Sequence, residues 1–529
     1  MPRHPNPHGG GQAGVVNPYP PRSSAAQGIA GQVLSRRRFL AVTGGLGSGL
    51  LVGCAAGSGA PALLGSGSPR VAELERARQA AGQRTVDVAL TAAPGRVDIG
   101  GQVLSTWSYG GELPGREIRL TRGDLLRAEV RNDLPQPTTV HWHGIALRAD
   151  MDGVPVLSQP EIAPGATFRY EFTVPDPGTY MFHPHIGAQL DRGLYGPLIV
   201  EDPTEPADYD DELVVMFDDW VDGTGRDPDQ VLADLRANGM GGMGGMGGME
   251  GMGGMQMPRS DLLGGDAGDV QYPHFLANGR TADAARSFPV RPGQRIRLRL
   301  LNIGGDTAFR VGVPGTPMTI THTDGFPVTP TQADAVLIGM GERVDAVIEV
   351  PGTAVPLLGL AEGKDGVTQV LLQPGTGPAP DVAAAATALM ARPAILVNDI
   401  PAAEAVRLAD REPDVTHPMR LGGPADGYTW TINDQTYDPA RGVPVREGQR
   451  VRLRFENTTT MFHPMHLHGH TFQVRGATGP GPRKDTVTVL PGQAVEVDFD
   501  ADNPGQWLTH CHNIYHGEAG MMTVVSYLR

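Results

Sequence analysis

Val445-Arg446-Glu447-Gly448-Gln449-Arg450-Val451-Arg452-Leu453-Arg454-Phe455-Glu456-Asn457 is one of three gap-free copies of a single phrase in this chain. Leu120-Thr121-Arg122-Gly123-Asp124-Leu125-Leu126-Arg127-Ala128-Glu129-Val130-Arg131-Asn132 is the first, and Val290-Arg291-Pro292-Gly293-Gln294-Arg295-Ile296-Arg297-Leu298-Arg299-Leu300-Leu301-Asn302 is the second. Each copy starts on an apolar residue, places Gly three positions on, runs in alternation and closes on Asn. The Gly marks a turn and the alternating run a strand. Recurrence at intervals of roughly 160 residues implies triplication of one β-sandwich domain. Turn signals are frequent between the copies, and no long helical periodicity competes with them. The fold class expected is all-β.

Composition agrees with that plan. A chain of 529 residues is too long for one compact domain and suggests roughly three. Its 73 Gly and 47 Pro suit a turn-rich protein. A formal charge of -15 argues against nucleic acid as a partner, and 5% aromatics argue weakly against a polysaccharide-binding surface. The two cysteines, Cys54 and Cys511, sit in unrelated contexts, so no disulfide is expected.

The chemistry lies in four histidine clusters. His510-Cys511-His512-Asn513-Ile514-Tyr515-His516, followed by Gly520-Met521, is the richest. Successive side chains of a strand point to opposite faces, so Cys511 faces away from His510 and His512. A thiolate, an imidazole from His516 and a thioether from Met521 are most of a blue-copper ligand set, which needs two His, one Cys and a weak axial Met. The missing imidazole is available in His463-Pro464-Met465-His466-Leu467-His468-Gly469-His470, where parity sets His463 against His466 and His468. His141-Trp142-His143-Gly144 and His183-Pro184-His185 supply two further same-face pairs. Ten of the sixteen His are thereby assigned, and His470 is left as a spare. A lone His-x-His pair would be weak evidence, since imidazole suits Zn, Cu, Fe and Ni alike, but four clusters with a Cys and a Met at these spacings point to copper.

The four clusters, two early and two late, resemble the copper motifs of the multicopper oxidases, with the closest pattern in bacterial copper-tolerance and laccase-like members. The resemblance implies three consecutive cupredoxin-like β-sandwich domains and four copper ions. Carried over by position, His463, Cys511, His516 and Met521 would hold a type 1 copper. His141 and His466 would hold a type 2 copper, and His143, His183, His185, His468, His510 and His512 a type 3 pair. The activity implied is four one-electron oxidations of a small reducing substrate coupled to reduction of O2 to two waters. Asp152, in Asp150-Met151-Asp152-Gly153, stands where the family carries a proton-relay acid; the alternative is a turn residue before Gly153. Many bacterial members carry a second acid close after the second type 1 His; here the next residue is Gly517, with Glu518 one further on as the candidate.

Residues 1–54 read as an export leader. Ser35-Arg36-Arg37-Arg38-Phe39-Leu40 is a twin-arginine pattern, the apolar stretch after it is too short to span a membrane, and Leu51-Val52-Gly53-Cys54 resembles a lipobox with Cys54 as the lipidated residue. Residues 55–80 read as a tether. The sandwiches are expected at 81–204, 205–374 and 395–529, with a Pro/Ala-rich linker at 375–394 and the middle domain acting as spacer and partial lid. Met240, Met243, Met246, Met249, Met252, Met255 and Met257 lie in a Gly-rich insertion at 240–257, too rich in Gly for a helix. Thioether sulfur selects Cu(I), and the run resembles the Met-rich segments of bacterial cuprous oxidases. The expectation is therefore an exported, lipid-anchored enzyme of the cell envelope or periplasmic side that oxidises Cu(I) in copper resistance, with membrane contact only through the lipid. Phenol or Fe(II) oxidation is the alternative. A non-catalytic envelope protein of the same fold, or a two-domain copper nitrite reductase, fits the complete ligand set and the triplication less well.

Overall fold

The structure is a computed structural model that describes residues 62–206, 208–239, 258–476 and 479–529. The leader with Cys54 and the methionine run lie outside the described residues.

Each repeated phrase forms the same object. The strands Leu125–Asn132, Arg295–Asn302 and Arg450–Asn457 each pair in parallel with the first long strand of their own sandwich, Thr85–Asp98, Asp211–Trp220 and Val415–Ala425. Each also pairs antiparallel on its other edge, with Thr167–Thr173, Arg343–Glu349 and Ala494–Asp500. Gly123, Gly293 and Gly448 turn into these strands at φ of 88°, 73° and 85°, a conformation that excludes most other residues. The closing Asn is buried in all three and does one job. Its Nδ2 donates to two backbone carbonyls and its Oδ1 accepts the backbone N–H two residues on: Gln136, Ile162 and Leu134 for Asn132, Thr307, Ile338 and Gly304 for Asn302, Met461, Val489 and Thr459 for Asn457. Asn thus ties the strand end to the loop that follows, where a backbone partner would otherwise be missing.

Three two-sheet sandwiches result. In the first, a four-stranded sheet faces a second four-stranded sheet that contains His141–His143 and Gly178–His183, with Leu90, Val130, Trp142, Phe172 and Phe182 between them. The second packs two six-stranded sheets, and the third packs a six-stranded sheet on a five-stranded one that holds His463–Leu467 and Gln506–Cys511. In each ligand-bearing sheet the His strands are immediate neighbours: His141 is paired with His183, and His466 with His510.

Two segments are more ordered than their composition suggests. Within the span read as a tether, Pro69–Arg78 is a helix with Ser68 as N-cap and Pro at its start, and buried Glu75 accepts from the N–H and hydroxyl of Thr173 at 2.8 Å each. Ahead of it, Leu64 N–H donates to Tyr527 O. The described part of 55–80 is therefore docked, contrary to a free tether. Within the span read as a linker, Val382–Met390 is an Ala-rich helix capped by Asp381, with Leu389 buried, as Ala propensity allows. No helix among the described residues is long and apolar enough to cross a membrane.

Asn302→Ala strands two carbonyls and one N–H in the core and is expected to cost about 2–4 kcal/mol. Calorimetry of the purified protein should register a lowered Tm; an unchanged Tm would mean that these three bonds do not hold the turn.

Candidate metal centre

The sheets bring the predicted ligands into two groups. Cys511 Sγ lies 3.6 Å from His463 Nδ1 and 3.6 Å from His516 Nδ1, and the two nitrogens are 3.1 Å apart. His463, Cys511, His516 and Met521 are all fully buried. Met521 is strapped to two of the others by its backbone: its N–H donates to His516 O, and its carbonyl accepts from Cys511 N–H. On the opposite face of the Cys511 strand, His510 and His512 join the other six imidazoles. Metal-sized groupings form at His143, His183 and His512, at His185, His468 and His510, and around His141 and His466 with His143. Strand parity had assigned these faces, and the structure agrees. His183 and His185, read as one pair, join different trios, as do His510 and His512.

Hydrogen bonds behind the rings decide which nitrogen faces the centre. Nδ1 of His141 donates to Asp152 O, His183 to Pro184 O, His466 to Asp485 O and His510 to Cys511 O, all at 2.9 to 3.0 Å. Nδ1 of His468 reaches Asp152 Oδ2 at 2.9 Å, and Nε2 of His143 reaches Asp485 Oδ1 at 3.2 Å. A carbonyl accepts only from N–H, so the inward nitrogens carry lone pairs. Those lone pairs converge. His510 Nε2 is 3.1 Å from His468 Nε2 and 3.4 Å from His185 Nε2, and the buried Nε2 atoms of His141 and His466 and both nitrogens of His512 have no hydrogen-bond partner among the described residues. Neutral nitrogens crowded lone pair to lone pair in a buried site fit cations, and borderline-soft imidazole fits copper.

The Cys511 group is oriented in the same way. Thr459 Oγ1 lies 2.8 Å from His463 Nε2, and Asp269 Oδ2 lies 3.0 Å from His516 Nε2. Tyr428 OH donates to the same Asp269 oxygen, and the Trp430 ring covers His516 at 4.0 Å. Burial pushes the Cys511 thiol up, which a bound metal cation would reverse.

The sequence-derived acids hold different places. Asp152 is buried, with Oδ2 on His468 and Oδ1 3.2 Å from His141 Nδ1, so it is more than a turn residue. Glu518 lines a small cavity with His185, His510 and Gly517, and burial raises its carboxyl pKa. His470, the spare, is a core residue bonded to Tyr527 OH at 2.7 Å. Sequence reading missed Asp269, Thr459, Asp485 and Arg343. All lie between or outside the His clusters, and no local pattern marks them.

Three sequence profiles described as multicopper oxidase match residues 91–205, 211–355 and 410–528. The chain is 47% identical to Multicopper oxidase MmcO of Mycobacterium tuberculosis, over 94% of this chain and 99% of that protein. It is 27% identical to Copper resistance protein A of Escherichia coli, over 82% and 91%. Among solved structures, a multi-copper oxidase from Pseudomonas thermotolerans superposes with a TM-score of 0.64 at 29% identity, covering 84% of this chain and all of that one.

The buried cage makes metal-free protein acid-sensitive. Burial first, then neighbouring imidazoles, hold the pKa values of His183, His185, His468, His510 and His512 well below the ordinary His range. These groups stay neutral in the fold but take protons in the unfolded chain below about pH 6.5. The unfolded state then binds more protons, so stability is complete above that pH and falls as pH drops. The Tm of chelator-treated protein should decline from pH 7 to 5, and less so with His183→Gln and His512→Gln combined. A flat profile would contradict a neutral cage.

Proposed function

The chain belongs to the multicopper oxidase family, and from that premise we propose that it oxidises Cu(I) to Cu(II), delivering four electrons singly to O2, which leaves as two waters. It is an oxidoreductase that uses four copper ions. His463, Cys511, His516 and Met521 would hold the type 1 copper, and His141 and His466 the type 2. His143, His183 and His512 would hold one type 3 copper, and His185, His468 and His510 the other. Bound there, the coppers supply the one-electron redox steps that no side chain in the site can. Cys511 sits in one group while its chain neighbours His510 and His512 sit in the other, so a covalent path of one residue joins them. Asp152, against His141 and His468, and Glu518, beside His185 and His510, hold and pass on the protons that water formation consumes.

The observation that carries the choice of substrate is the carboxylate of Asp269 on His516 Nε2, because Asp269 follows the methionine insertion closely in the chain. At the other end of that insertion, the helix Pro228–Asn238 places Arg236, whose Nη2 donates to Glu518 O at 2.5 Å. Both flanks of residues 240–257 thus abut the segment that carries His516. Soft thioethers of the insertion would gather Cu(I), and Asp269 joins the segment after it to the His516 ring by a hydrogen bond. The buried ring, shielded by Tyr428 and Trp430, disfavours direct contact with a bulky phenol. Export by the twin-arginine route with lipid on Cys54 completes the proposal, placing copper detoxification outside the cytoplasm. Cys54→Ala should shift the protein out of the membrane fraction.

The deciding experiment is oxygen uptake by copper-loaded protein with a stabilised Cu(I) donor and, separately, a phenol. Deleting residues 240–257 should lower Cu(I)-driven uptake about tenfold, a loss of about 1.4 kcal/mol of transition-state stabilisation, and spare phenol turnover. Equal loss of both rates would contradict the cuprous reading. Glu518→Gln should slow uptake with either donor about 100-fold while the blue absorption persists; an unchanged rate would remove Glu518 from the proton path.

A further inference from the structure

The middle sandwich contributes none of the predicted ligands, yet one of its turns forms a wall of the imidazole cage. Gly341 has a φ of 84°, and a Cβ there would lie 2.7 Å from His512 Cδ2 and 3.2 Å from His143 Cε1. The backbone of this turn therefore packs directly on two rings. Two residues on, Arg343 is completely buried and reaches all three sandwiches. Its Nε donates to Thr179 O of the first at 3.0 Å, and its Nη1 donates to Gly341 O of its own at 3.0 Å. The fork of Nη1 and Nη2 grips Asp485 of the third at 2.7 and 2.6 Å. The held carboxylate in turn has Oδ1 3.2 Å from His143 Nε2 and 3.3 Å from His466 Nδ1. Those two rings are stacked, with centroids 3.9 Å apart. Gly144 makes room: a Cβ on it would fall 2.4 Å from Arg343 Nη2 and 2.7 Å from Asp485 Oδ2.

We infer that Arg343 is a positioning residue of the trinuclear copper site, locking Asp485 so that one carboxylate oxygen orients His143 and His466 together. The inference rests on the ligand assignment proposed above. A bidentate guanidinium–carboxylate pair fixes the plane of the carboxylate as well as its position. An oriented acceptor behind an imidazole fixes its tautomer and ring angle and strengthens it as a donor to metal. His143 belongs to a type 3 trio and His466 to the type 2 pair, so a tilt of Asp485 disturbs both kinds of copper at once. Cys511 and its partners touch neither Arg343 nor Asp485 and should not respond. The middle domain is therefore a structural member of the site, which replaces its reading as spacer and partial lid.

Arg343→Lys keeps the charge but loses the fork, and Arg343→Met loses both. Copper-loaded wild type and both variants would be compared by the type 1 blue absorption, the near-ultraviolet type 3 shoulder, the type 2 hyperfine splitting in electron paramagnetic resonance, and copper retention against a chelator. In Arg343→Lys, the blue absorption should be unchanged, the type 2 splitting shifted, the type 3 shoulder reduced and retention of the non-blue copper weakened about 10- to 100-fold. Arg343→Met should deepen these losses, with Lys as partial rescue. If Arg343→Lys lowers only Tm while the type 2 and type 3 signatures match wild type, the residue is merely structural and the inference fails, whether or not Arg343→Met folds. Absence of type 2 and type 3 signatures from wild type itself would instead overturn the ligand assignment.

Discussion

Eight closely packed imidazoles, seven of them buried, with inward lone pairs only 3.1 to 3.4 Å apart at the closest trio, form the constraint around which this molecule is built. Each ring gives up bulk water, and several point an unpaired nitrogen at another. Such an arrangement is costly without a cation and is held only where the surroundings leave no alternative. The surroundings are two antiparallel sheets from different sandwiches, each presenting a pair of adjacent His-bearing strands. Neither sandwich alone completes any of the three histidine trios. The interface between the first and third sandwiches is thus the site itself, and a loosening there removes the metal centre before it unfolds either domain.

Buried acids convert that interface into a defined geometry. Asp152 of the first sandwich crosses to His468 of the third. Asp485 of the third crosses to His143 of the first, backed by an arginine from the second. Burial opposes the charge of Asp485, but the Arg343 guanidinium and the two imidazole donors hold its carboxyl well below the ordinary range. The same logic governs the Cys511 group, where Asp269 of the middle sandwich fixes His516 and Asp306 accepts from Asn513, the residue between the two metal groups, while Lys364 neutralises Asp306. Breaking one partner of such a pair leaves a buried charge uncompensated, which costs more than the pair contributes. The middle domain thus packs into the site although none of the predicted ligands lies in it.

Much of this was legible in the sequence because it follows from period and repetition. The alternation of a strand separates Cys511 from His510 and His512 without any knowledge of the fold, and the thrice-repeated Gly and Asn give one turn and one strand end three times over. The split of His183 from His185, and of His510 from His512, was not legible, since strand parity assigns a face and not the partners that meet there. Asp485, Asp269 and Arg343 were not legible either. Each acts across a domain boundary on a residue more than a hundred positions away, or from a stretch with no histidine to mark it, and only tertiary packing brings it in. The docking of Pro69–Arg78 depends likewise on long-range contacts, among them the bonds that Thr173 donates to Glu75 and the pairing of Arg70 with Glu447.

The central claim is that two sheets from separate sandwiches hold one cluster of three coppers, with a fourth at the cysteine on the reverse face of one strand. Anomalous scattering at the copper edge from crystals of the loaded protein tests it directly. The account predicts four peaks per chain, one among His463, Cys511 and His516 and three within the cage of eight imidazoles. Fewer than three peaks in the cage of a fully loaded crystal, or a peak of full occupancy coordinated by residues outside these two groups, would contradict it.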